Sequence, residues 1–139
     1  MKTLNTVSAA IELGAGLTLM VFPSVVVKLR LGAPLAAPAA VLLGRLTGAA
    51  LFALGISCWL ARGAAPNRAA KGVVAAMLFY NLGAVAVFLL AALVEKLAGV
   101  ALWPAAILHA VMAVWCARVL WVSGNSGSQS TGDSNQITT

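Results

Sequence analysis

Four uninterrupted apolar runs dominate this chain, at residues 4–27, 35–60, 72–94 and 99–122. A helix needs about 20 largely apolar residues to cross a hydrocarbon layer about 30 Å thick, and each run meets that length. Helix is the conformation expected, because lipid leaves every backbone group to be satisfied within its own segment. A membrane barrel is excluded, since its strands are about 10 residues long and alternate in polarity, whereas these runs are long and continuous. Composition closes the other routes. Only 9% of residues are charged and 62% are hydrophobic, against about 25% charged in a soluble domain. A surface of ordinary polarity cannot be assembled from so few charges, and a chain this apolar does not stay disordered. The expected fold is all-α: a single polytopic four-helix membrane bundle over residues 1–122, with the lipid bilayer as its first partner.

The breaks between the runs are chemically plain. Lys28, Arg30, Gly32 and Pro34 separate the first two, Arg62 to Lys71 the second and third, and Glu95-Lys96 the last two. A connection as short as the last makes its helices antiparallel neighbours. A cleaved signal peptide would have a short apolar core followed by a small-residue cleavage site. The first run is longer, contains Glu12 and leads into Phe22-Pro23-Ser24, so a retained helix is expected. With the N-terminus inside, Lys2, Arg62, Arg68, Lys71 and Arg118 lie on the cytoplasmic side, while Lys28, Arg30 and Lys96 lie opposite. That bias favours cytoplasmic termini. Residues 123–139, with Asp133 as their one charge and Ile137 as their one aliphatic residue, bury too little to fold and are expected to be a disordered polar tail.

A weak internal repeat accompanies the spans. Leu13-Gly14-Ala15 recurs as Leu82-Gly83-Ala84, and Pro38-Ala39-Ala40-Val41-Leu42 as Pro104-Ala105-Ala106-Ile107-Leu108. A tandem 2+2 helix-hairpin arrangement would place parallel copies about an axis normal to the bilayer. Chance in an Ala/Gly-rich sequence is the alternative.

Each span carries one interior polar residue: Glu12, Arg45, Asn81 and His109. An ionisable group at a helix centre costs about 2.5–3.5 kcal/mol on insertion scales, so these side chains should face one another rather than lipid. Counting from the span ends puts Glu12 and Asn81 about 13 Å from one edge, and Arg45 and His109 about 15 Å from the other. The expectation is a buried Glu12–Arg45 pair completed by Asn81 and His109. Three readings stay open. The cluster is a structural lock, a site for a small anion or quinone-like head group, or a proton relay between Glu12 and His109. Tight packing is expected from the small faces Ala40/Gly44/Gly48, Ala10/Gly14 and Ala106/Ala110.

Several chemistries lack their residues. One histidine cannot make a bis-histidine haem, and Cys58, Cys116, His109 and Glu12 have no metal-ligand spacing. The cysteines read as small apolar fillers. No phosphate loop, nucleophile elbow or dinucleotide fingerprint occurs, so no cofactor and no catalytic residue is assigned. The net charge of +6 falls at span ends and fits topology and anionic head groups rather than nucleic acid.

The block Gly44-Arg45-Leu46-Thr47-Gly48-Ala49-Ala50-Leu51-Phe52-Ala53-Leu54-Gly55, set among short-looped spans, resembles small bacterial DoxX-like membrane proteins. The resemblance implies a four-helix inner-membrane protein, uncharacterised in most members and in some an accessory subunit of quinone-linked oxidoreductases. Arg45 matches the basic residue of that block. The leading expectation is a non-enzymatic subunit or accessory component acting through helix packing, in a homo-oligomer or larger membrane complex. The alternative is a small carrier or ligand-binding protein using the polar cluster. An oxidoreductase, the third option, would require a bound cofactor.

Overall fold

The structure is a computed structural model that describes residues 1–65 and 67–133, with side chains described as far as Gly124. It is helical, with α1 at Lys2–Val21, α2 at Pro23–Leu31, α3 at Pro38–Ala61, α4 at Arg68–Leu93 and α5 at Leu102–Asp133. Four of these, all but the short α2, are long and apolar enough to cross a membrane.

The first apolar run is not one helix. In a continuous helix the Pro23 ring would clash with the carbonyl of Leu19 and remove a hydrogen bond. The chain leaves helical geometry at Phe22 (φ −125°, ψ 56°), and Pro23 then opens α2 from its first turn, where a missing N–H costs nothing. Gly32 ends α2 with a left-handed φ of 79° and donates its N–H to Lys28 O at 2.8 Å, the usual glycine stop. The α4–α5 connection docks on α2, with Ala101 N–H donating to Leu29 O at 2.8 Å. At the start of α4, Asn67 Oδ1 accepts from Ala70 N–H at 2.8 Å, a side-chain cap.

The segment expected to be disordered from Ser123 instead continues α5 to Asp133. Residues 134–139 lie outside the described residues.

The bundle consists of two hairpins, α1 against α3 and α4 against α5. Backbone contact holds the first. A Cβ on Gly16 would stand 2.6 Å from Phe52 N, and one on Gly48 would stand 2.7 Å from Met20 N, so only glycine fits at either position. Gly55 meets Leu13 in the same interface, whereas Gly14, expected in the tight face, has open space around it. Leu4, Ala9, Cys58, Val74, Met77, Met112 and Cys116 form the shared core between the hairpins.

Burial repeats from one hairpin to the other. Asn5, Ser8, Glu12 and Leu19 of α1 are buried, as are Val74, Met77, Asn81 and Phe88 of α4, each 69 residues later. Gly48, Leu51, Gly55 and Cys58 of α3 correspond to Ala106, His109, Ala113 and Cys116 of α5, each 58 residues later. The first offset is that of the Leu-Gly-Ala match. The second differs from the Pro-Ala-Ala match, which does not align the buried faces. The second hairpin connection is shorter by 11 residues (69 − 58), and α2 has no counterpart there.

A polar column between the hairpins

On α1 the residues at positions 5, 8 and 12 follow the i, i+3, i+7 stripe of one helix face. That face turns inward: Asn5 is 1% exposed, Ser8 0% and Glu12 2%. Asn5 Nδ2, Ser8 Oγ and Glu12 Oε2 have no hydrogen-bond partner. Burying such a group unpaired costs about 1–3 kcal/mol, more when it is charged. Three on one stripe is far from the usual satisfaction of buried polar atoms.

Asn81 and His109, expected to complete a Glu12–Arg45 pair, bond each other instead. Asn81 Nδ2 donates to Met77 O at 2.7 Å, and His109 Nδ1 lies 2.8 Å from Asn81 Oδ1. With the amide nitrogen committed to the α4 backbone, Oδ1 is the atom facing the ring. His109 Nδ1 therefore carries the hydrogen and Nε2 holds the lone pair. Tyr80 stands edge-on to the imidazole with centroids 5.5 Å apart, and Phe88 lies tilted at 5.7 Å.

Arg45 is elsewhere. It is exposed on the outside of the bundle, in a groove of roughly 250 Å³ with Val21, Phe22, Pro23, Ser24, Val25 and Val41. The expected Glu12–Arg45 pair is therefore not formed. The register explains it. Gly16 and Met20 meet Gly48, and Leu13 meets Gly55, so Glu12 lies level with the C-terminal half of α3. Arg45 is about three turns away, about 16 Å at 1.5 Å per residue. Glycine contacts set this register, not charge. An arginine near a helix end can instead extend its guanidinium toward the interface.

The cation nearest the cluster is Arg30, in the last turn of α2, where the sequence places the break between the first two spans. Its guanidinium sits 6.0 Å from the Phe88 ring centroid, and Phe88 in turn lies 5.7 Å from the His109 ring. Cys58 is also within electrostatic reach of Glu12 and of Cys116. Both thiols are free and buried, at repeat-equivalent positions. Among the described residues no three His, Cys, Asp or Glu side chains gather as a metal site. Asn5, Ser8, Tyr80 and Arg30 were missed by the sequence reading. The first two were legible as a helical stripe with Glu12, but Arg30 required knowing that Pro23 starts a helix.

Comparison with protein-family models, with curated proteins and with solved structures finds no match to this chain.

Proposed function

We propose that this is a multi-pass membrane protein that binds a small polar species at an intramembrane site centred on Glu12, as a carrier or ligand-binding component rather than through helix packing alone. One observation carries the reading: Asn5, Ser8 and Glu12 are buried with unpaired polar atoms turned into the bundle. The structural lock required four side chains that satisfy one another. With Arg45 outside, Glu12 has lost the partner on which that lock depended, and a bound polar species is the physical alternative to an uncompensated cost. The basic residues at the helix ends favour both termini on the cytoplasmic side, and the DoxX-like block agrees with a bacterial inner membrane.

The test is reachability. With Cys58 and Cys116 replaced by Ala, a Ser8→Cys variant in liposomes should react with a small water-soluble methanethiosulfonate. A thiol that stays inert while a control outside the spans, such as Ala64→Cys in the exposed α3–α4 connection, is labelled would mean a dry packing interface and would overturn the site.

A further inference from the structure

We infer that the species handled at this site is the proton, carried on water past Asn5 and Ser8 to Glu12 and on to His109. This deepens the proposed function and rests on it. The unpaired atoms choose the occupant. Asn5 Nδ2 can only donate, Ser8 Oγ can donate or accept, and ionised Glu12 Oε2 can only accept. A metal cation would suit the carboxylate and the hydroxyl but would meet the amide hydrogens of Asn5. Water, which both donates and accepts, satisfies all three.

The spacing suits it as well. Along α1, Asn5 to Ser8 is about 4.5 Å of rise and Ser8 to Glu12 about 6 Å. One water with hydrogen bonds of about 2.8 Å on either side reaches about 5.6 Å at most, enough for the first rise, and a second water completes the longer one. Leu13 meets Gly55 of α3, which brings Cys58 within a turn of the level of Glu12, and Tyr80 of α4 packs against the same buried cluster as Cys58. Tyr80 also stands edge-on to the ring of His109 on α5. Beyond His109, Phe88 and the Arg30 guanidinium close the column.

The transfer balances without a further reactant. Hydrated excess proton at the Asn5 end gives its proton to Glu12 Oε2, forming the carboxylic acid and leaving water. The acid then passes it, through water or the Tyr80 hydroxyl, to the lone pair of His109 Nε2, which regenerates the carboxylate. The imidazolium, still donating from Nδ1 to Asn81, releases the proton from Nε2 to water. No electrons change hands.

The experiment uses the full chain in liposomes loaded with a pH-sensitive dye and driven by a valinomycin potassium potential. Proton flux should exceed that of protein-free vesicles. Glu12→Gln and His109→Leu should each lower it by about a hundredfold or to the vesicle background, the range for losing a positioned proton-transfer group. Asn5→Val with Ser8→Ala keeps both titratable groups and removes the water contacts. It should also lower the flux, which covers the case in which a Glu12 or His109 variant does not fold. Wild-type flux at background, flux indifferent to Glu12→Gln in a folded variant, or sodium uptake in place of proton uptake would each overturn the inference. If flux is absent but Ser8→Cys still reacts, the polar site stands and the proton reading alone falls. An inert Ser8→Cys removes both.

Discussion

The two hairpins bury a shared set of equivalent positions and put different chemistry there. Where the first has Asn5, Ser8 and Glu12, the second has Val74, Met77 and Asn81. Where the second has His109, the first has Leu51. The second hairpin thus demonstrates that valine and methionine fill the first two positions without loss of packing. Asn5 and Ser8 are not demanded by the architecture. The second hairpin also pairs its polar residues with each other, Asn81 to His109 at 2.8 Å, while the first leaves three polar atoms unpaired. The proposed site rests on this stripe because it is polar, buried and unpaired.

The hairpins differ in how closely their helices approach, and this gives the largest expected effect. Gly16→Leu drives a side chain into Phe52 N and Gly48 O. It should destabilise the first hairpin by more than about 3 kcal/mol, beyond ordinary overpacking, because backbone rather than a flexible side chain is in the way. Unfolding followed by circular dichroism in mixed micelles would show it. Gly83→Ala in the second hairpin meets nothing within 4 Å and should be neutral or stabilising by up to about 1 kcal/mol from helix propensity. Equal losses at the two sites would erase the distinction.

Next in size is the satisfied pair. His109→Leu copies the first hairpin's Leu51 and strips Asn81 Oδ1 of its donor, so stability should drop by about 1–3 kcal/mol. The double variant with Asn81→Leu should be milder than His109→Leu alone, since no buried polar atom is then left unpaired. A double variant that is worse than the single one would mean that the pair is not the closed unit its geometry describes.

Converting the first hairpin toward the second, with Asn5→Val and Ser8→Ala, should leave stability unchanged or raise it by up to about 2 kcal/mol, because unsatisfied polar atoms disappear. The same variant should lose proton flux. Lower stability would show instead that these side chains hold the fold.

Much of this difference was legible before any coordinates. The apolar runs set four spans, and Leu13-Gly14-Ala15 against Leu82-Gly83-Ala84 gave the true offset of the first helices of each hairpin. Asn81 and His109 stand out as the interior polar residues of their spans, but the sequence assigns them to a Glu12–Arg45 pair, whereas they bond each other. What failed was depth. Counting residues from span ends treats helices as straight rods with level ends, and α1 stops at Val21 on account of Pro23 while α3 begins only at Pro38. The sliding register of two helices in lipid is set by where backbones can touch, here Gly16 on Gly48. A count of charges cannot see that. Of the glycines in the block 44–55, Gly48 and Gly55 pack against α1 and Gly44 against Pro23 and Leu35, so their spacing reports helix packing.

The smallest effect tests that register directly. Groups more than about 7–10 Å apart with no shared partner add within about 0.3–0.5 kcal/mol. Arg45 is exposed and about three turns from the level of Glu12. A cycle of Glu12→Gln and Arg45→Gln should therefore show no coupling beyond that range, and Arg45→Gln alone should leave both stability and proton flux nearly unchanged. Arg30→Gln should instead couple to Glu12→Gln, because its charge reaches the carboxyl through a bundle interior that screens less than water. Measured side by side, the two cycles decide which arginine Glu12 senses: coupling to Arg45 in place of Arg30 would mean that charge, and not the glycine contact, sets how α1 lies on α3.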